Sequence, residues 1–296
     1  MIPLPYELRE TLVSLKDISL KFGDKVILKP FSAEVRDIAR PGVCQGQIVG
    51  ILGPSGIGKT QFSRILAGLQ EPTTGTVLID TPQAAGQPAK TPVQAGLVGM
   101  VAQNYPLFEH RTVRGNLLVA LEHMTSTAKG WARVKECLGF ANKDRLDRVN
   151  EYLDRFGLTD KADLYPAQLS GGQRQRVSII QELLCSEHFI VMDEPFTGLD
   201  PLMKDKVCDL IVQVANLDER NTIFVVAHDI ASLVAISDSL WLFGRDRDGE
   251  GKPIPGAYIK AHFNLIERGL AWQPNLTTTR EFSDFVAEVK EHFKSL

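Results

Sequence analysis

"QIVGILGPSGIGKT", residues 47–60, joins two local patterns end to end. Residues 47–52 are an apolar run bounded by glycine, the pattern of a strand buried on both faces. Gly53-Pro54-Ser55-Gly56-Ile57-Gly58-Lys59-Thr60 then fit the spacing G-x-x-x-x-G-K-[ST]. Beyond them Phe62, Ile65, Leu66 and Leu69 recur at helical spacing, with Gly68 near the end. Strand, glycine loop and helix together give the spacing its meaning. The glycines let backbone N–H groups converge on phosphate oxygens, and the helix N-terminus adds partial positive charge. In that geometry Lys59 reaches the β- and γ-phosphates of a nucleoside triphosphate, and the Thr60 hydroxyl can ligate Mg²⁺.

A second anion site follows downstream. "LSGGQRQR", residues 169–176, is a Ser-Gly-Gly turn opening onto a polar, amphipathic stretch. That is the recipe for exposed backbone donors at a helix start.

Strands and helices alternate around these loops. "TLVSLKDISLKF" (11–22) and "KVILKPFSAEV" (25–35) alternate enough to predict short strands. "LVGMVAQ" (97–103), "HFIVMD" (188–193), "TIFVVA" (222–227) and "SLWLF" (239–243) read as further strands. A helix is predicted over 201–218, with Val207, Leu210, Ile211, Val214 and Leu217 inward. From about 110 to 168 the chain turns helical; Leu146, Val149, Leu153 and Phe156 mark one face, which Gly157 ends. The Pro-, Gly- and Gln-rich residues 81–96 and the stretch 244–256 read as surface loops. A terminal amphipathic helix is predicted from a capping box, Thr278 to Glu281, with Phe282, Phe285, Val286, Val289 and Phe293 on one face. The sum is an α/β fold: a P-loop NTPase-type, mainly parallel sheet, an antiparallel β region at the N-terminus, and an inserted helical subdomain at about 104–170.

Asp193 and Glu194 end the strand "FIVMD", at the sheet edge where such folds bind ligands. Asp193 is placed to hold Mg²⁺, and Glu194 to take a proton from an attacking water. His228 and Gln103 end neighbouring strands. His228 is expected to orient the water against the γ-phosphate, and the Gln103 amide to bind Mg²⁺ or water.

Bulk composition excludes other classes. Thirty-three Lys and Arg against 36 Asp and Glu leave a net charge of −3, with no footprint for nucleic acid. The four cysteines form no C-x-x-C pair, so they read as isolated thiols. "MIPLPYELRE" lacks the basic start and apolar run of a signal peptide. The apolar runs fall far short of the ~20 residues of a membrane helix.

Taken in order, "GPSGIGKT", "VAQNYPLF", "LSGGQRQR", "FIVMDEP", "TGLD" and "VVAHD" resemble the ATP-binding subunit of ABC transporters, importer-like, over roughly 12–243. The resemblance implies an ATP-binding cassette at 1–243 and a C-terminal loop and helical extension at 244–296. It implies a Mg-dependent ATPase that pairs head to tail, as a homodimer or with another cassette. Ser170, Gly171, Gly172 and Gln173 of one chain would then close on ATP held by the other, with Asp200 communicating across the interface and Phe22 stacking on adenine. Tyr105–His110 would grip a helix of an integral membrane permease, at the cytoplasmic face of the inner membrane. A solute-binding protein belongs to the import reading.

Three features depart from the family. Thr60-Gln61 follows Lys59 where the family has Ser-Thr, so the α-phosphate hydroxyl contact is missing or replaced by the Gln61 amide. "SIIQELL" (178–184) stands for the alanine-rich "AIARAL". The stretches 81–96 and 244–256 are longer than in a minimal cassette. Export or lipid-trafficking cassettes share these motifs. A DNA-repair ATPase would carry coiled coils between the two loops, a ribosomal one two cassettes, and a P-loop kinase no "LSGGQ".

Overall fold

In a computed structural model of the chain, residues 5–82, 88–101, 106–126, 140–186, 188–294 and 296 are described. They form two compact units, Met1–Val98 with His188–Leu296, and Gly99–Glu187. In chain order the elements are β1 (Glu7–Phe22), β2 (Lys25–Ala39), β3 (Gln47–Leu52), α1 (Lys59–Leu66), β4 (Thr74–Pro82), β5 (Pro88–Pro92) and β6 (Gly99–Val101). There follow α2 (Val113–Ser126), α3 (Phe140–Arg155), α4 (Gly171–Cys185), β7 (Phe189–Asp193) and α5 (Pro201–Ala215). The chain continues with β8 (Thr222–Ala227), α6 (Ile230–Ile236), β9 (Ser239–Gly244), β10 (Tyr258–Asn264) and α7 (Arg280–Lys294).

The first unit carries an antiparallel sheet in the order β2-β1-β4-β5. Its β1 covers the expected 11–22 and begins four residues earlier, at Glu7. Register shifts, including one between Leu15 and Ile18, let it bend while Val13, Leu15, Ile18 and Leu20 stay buried. The expected surface loop at 81–96 contains β5, which pairs with β4 from Leu78↔Pro92 to Pro82↔Pro88. The prolines obscure this strand in the sequence, yet an edge position tolerates them because one side of the ladder needs no N–H.

The unit's other sheet places β9 and β8 either side of β3, all parallel, with β7 parallel to β8. Every residue of β3, β7 and β8 is buried, which is why these strands read as apolar runs without alternation. An unforeseen strand, β10, pairs antiparallel with β9.

Helix ends differ from the sequence expectation at three places. Helix α1 stops at Leu66, so Leu69 lies beyond it and is 49% exposed. Helix α5 ends at Ala215, short of Leu217, with Val207, Leu210, Ile211 and Val214 inward. Helix α7 is capped by Thr279, whose Oγ1 accepts from Phe282 N at 3.2 Å; the Thr278 hydroxyl instead donates to Asn275 O at 2.8 Å. The helix begins at Arg280, which makes Thr279 the residue in the cap position. Phe282, Phe285, Val286 and Val289 of α7 are buried, with Phe285 5.5 Å from Phe263 of β10.

The second unit holds β6, α2, α3 and α4. Asn116 organises its entry: fully buried, it accepts from Phe108 N at 2.7 Å and donates to the carbonyls of Phe108, Arg111 and Thr112. On α3, Val149 and Leu153 are buried, as is Phe156 just beyond it, while Leu146 sits at the rim, 36% exposed. Helix α4 packs on α2, and Met100 N of β6 donates to Glu182 Oε2 of α4 at 3.0 Å.

Candidate functional site

Parallel β3, β7 and β8 end at one edge, and the chain turns there bring four groups together. After β3 comes the phosphate loop. Gly56 (φ 72°) and Gly58 (φ 119°) sit in the left-handed region, where a side chain would be strained. Lys59, 6% exposed, donates from Nζ to Gly53 O at 2.7 Å and Pro54 O at 3.1 Å. Burial lowers its pKa, and the charges of Glu194 and Asp193 oppose that shift.

Strand β7 delivers Asp193, buried beside β8 in register with Val226. Burial raises its carboxyl pKa, and a hydrogen bond with the Thr60 side chain pulls it back. Its Oδ1 is buried with no hydrogen-bond partner among the described residues. A buried carboxylate oxygen left over, next to a threonine hydroxyl, is a hard oxygen donor set that fits Mg²⁺.

Glu194 follows with φ 54°, an uncommon backbone for a residue with a side chain. Its N–H still donates to Val226 O at 2.7 Å, so the strand pairing holds the strained residue in place. Its Oε1 is 3.7 Å from Lys59 Nζ. Its Oε2 is 2.7 Å from His228 Nδ1 and accepts from Thr197 Oγ1 at 3.1 Å. His228 stands one residue past β8 and is largely exposed. Asp229 next to it caps α6 by accepting from Ser232 N at 3.1 Å, and pairs with Lys204.

The first unit thus gathers Gly53–Thr60, Asp193, Glu194 and His228. Gln61 continues α1, partly exposed. Phe22, the last residue of β1, is 48% exposed and so is no core aromatic. Asp200 is the N-cap of α5, accepting from Met203 N at 3.0 Å. In the second unit Ser170 caps α4 in a reciprocal box with Gln173, and Ser170 and Gly171 are exposed while Gly172 is partly so. Gln103 and Tyr105 lie outside the described residues. Thr197 and Asp229 sit in the quoted motifs "TGLD" and "VVAHD" and Lys204 in none; the bonds of Thr197 to Glu194 and of Lys204 to Asp229 show what each holds.

Residues 40–197 match the family described as ABC transporter. The chain belongs to the ABC transporter family. Among relatives of this ABC protein, a methionine import ATP-binding protein (MetN) of Nocardia farcinica is 36% identical over 195 residues, 66% of this chain and 54% of the relative. A sulfate/thiosulfate import ATP-binding protein (CysA) of Mesostigma viride is 32% identical over 242 residues, 81% of this chain and 62% of the relative. The ABC chain here therefore spans little more than half the length of the first of these curated relatives. Among solved structures, cbiO1 of Clostridium perfringens, part of the ABC transporter complex cbiONQ, covers 97% of this chain and 100% of its own with a TM-score of 0.65. At 19% identity that likeness shows the fold alone. Among the described residues, no helix is long and apolar enough to cross a membrane.

Proposed function

We propose that this ABC-family protein hydrolyses ATP and drives import through separate permease subunits. The observation that carries the reading is the Lys59–Glu194–His228 chain, 3.7 Å and 2.7 Å, at the carboxyl edge of parallel strands beside a phosphate loop. Lys59 exchanges its bonds to Gly53 O and Pro54 O for oxygens of the β- and γ-phosphates. Glu194 takes a proton from water as the water oxygen bonds to the γ-phosphorus and the bond to the β,γ-bridging oxygen breaks, giving ADP and phosphate. His228 and Thr197 hold Glu194 Oε2, and Oε1, 3.7 Å from Lys59, turns to the incoming water as Lys59 moves onto the phosphates. Asp193 and Thr60 would hold magnesium; from its place at the end of "LVGMVAQ", Gln103 is proposed to bind the ion or a water. Bound there, the ion would neutralise charge on the phosphate oxygens.

The exposed start of α4 supports closure by a second cassette, identical or paired. Ser170, Gly171, Gly172 and Gln173 would present backbone donors to the γ-phosphate bound by the partner. Import is supported by the printed names of the MetN and CysA relatives, both import ATP-binding proteins. A permease at the cytoplasmic face of the inner membrane and a solute-binding protein complete the import reading. The test is ATPase activity with magnesium titrated, plus affinity capture from detergent-solubilised membranes. Magnesium-dependent phosphate release and a co-purifying polytopic protein are expected. Capture of ribosomes or DNA instead would overturn the transport role.

A further inference from the structure

We propose that the β9–β10 hairpin braces the phosphate loop in its anion-binding shape, with Arg245 as a positioning residue for nucleotide binding. The inference rests on the nucleotide reading of that loop and adds a residue that no motif contains. Arg245 follows β9 directly, and its Nη2 donates to Gly56 O at 3.4 Å. Its Nε is buried with no hydrogen-bond partner among the described residues, so the guanidinium keeps donor capacity beyond this contact.

The carbonyl of Gly56 and the N–H of Ile57 belong to one planar peptide and point in opposite directions. Holding the oxygen from outside aims the N–H toward the inner side of the loop. In this structure that N–H rests on Pro54 O at 3.4 Å, a long contact that a phosphate oxygen can replace. A guanidinium on the carbonyl also polarises the peptide, which strengthens its N–H as a donor.

The hairpin supports the loop from a second side. Ala257 N donates to Ile27 O at 2.9 Å, and Lys29 N donates to Ala257 O at 3.0 Å. Those bonds fix Ile27 and Leu28, whose side chains lie 3.1 and 3.4 Å from where a Cβ on Gly58 would stand. The hairpin is itself pinned. Asp246 Oδ2 pairs with Lys29 Nζ at 2.7 Å, and Asp246 Oδ1 accepts from Tyr258 OH at 2.6 Å. Lys260 Nζ donates to Arg245 O at 3.2 Å, and Arg247 Nη2 to Leu296 O at 2.5 Å. Arg245 therefore projects from an anchored backbone rather than a loose loop.

The test compares wild type, Arg245→Ala and Arg245→Lys in the full chain. It measures the Kd of a fluorescent ATP analogue, KM and kcat for ATP, and amide hydrogen exchange over residues 53–58. The Ala variant is expected to raise Kd and KM about tenfold while kcat stays within about twofold. Exchange should speed up in the loop without nucleotide, and the Lys variant should recover part of each loss. Unchanged affinity and loop exchange in the Ala variant overturn the brace. So does exchange rising throughout the first unit in both variants, which marks general loss of fold. Failure of the wild type to bind the analogue refutes the nucleotide reading instead.

Discussion

His228 Nδ1 and Glu194 Oε2, 34 residues apart in the chain, meet at 2.7 Å. The contact joins the ends of β7 and β8 and fixes one oxygen of a carboxylate whose other oxygen faces Lys59 at 3.7 Å. Glu194→Gln keeps the shape and removes the base. Turnover should fall by about 10²-fold or more with ATP binding retained, and an ATP-bound dimer should accumulate. Single-turnover hydrolysis and size-exclusion chromatography check this; wild-type turnover in the variant would place the base elsewhere.

Lys59→Ala removes the ammonium that spans Gly53 O, Pro54 O and Glu194. ATP affinity should drop by at least about tenfold. A Ser170→Ala variant, in contrast, should bind ATP and fail to pair. Mixing the two variants gives heterodimers with one intact composite site, so activity should rise above either alone. Flat activity across the mixing series argues against a site shared between chains.

Phe22, 48% exposed at the end of β1, is available for stacking. Phe22→Ala should weaken ATP binding by about 1–3 kcal/mol, and thermal stability without nucleotide should change little, because an exposed side chain leaves no cavity. Isothermal titration and a melting curve separate the two effects. A large drop in Tm with unchanged affinity would make Phe22 structural.

Two buried carboxyls set a pH dependence of stability. Burial pushes Glu182 up to about 7, against the pull of its bond from Met100 N. Burial likewise pushes Asp238 to about 7 although it accepts from Ile48 N at 2.6 Å. Between the unfolded values, 4.5 and 3.8, and about 7 the native state holds protons that the unfolded state has lost. Stability therefore declines as pH rises through that window, by at most about 1.4 kcal/mol per pH unit for each group, and levels off above it. Urea unfolding of Glu182→Gln should match wild type near pH 4.5 and exceed it above pH 7. Equal stability of the two at high pH would show that Glu182 titrates normally.

The phosphate loop, the apolar strands 47–52, 189–193 and 222–227, and the Asp193–Glu194 pair were legible because each is a local pattern. Left-handed glycines, a run buried on both faces and a helix start are written in neighbouring residues. Local signals also misled: Thr278 and Thr279 offer the same chemistry, and only the path of α7 shows that Thr279 caps it. Strand β5 was hidden by Pro88 and Pro92, which forbid a central strand but not an edge. Asp200, conspicuous in "TGLD", also caps α5, accepting from Met203 N through one carboxylate oxygen.

The sequence by itself determined that this chain makes a nucleotide-type loop, a second anion turn and an α/β fold of the ABC family. Tertiary structure alone decided that His228 reaches Glu194, that Asp193 keeps an oxygen unpaired among the described residues, and that Arg245 reaches Gly56. The reason is range. Backbone preference and side-chain periodicity act over a few residues, whereas these pairings depend on parallel strands that bring distant positions to one edge.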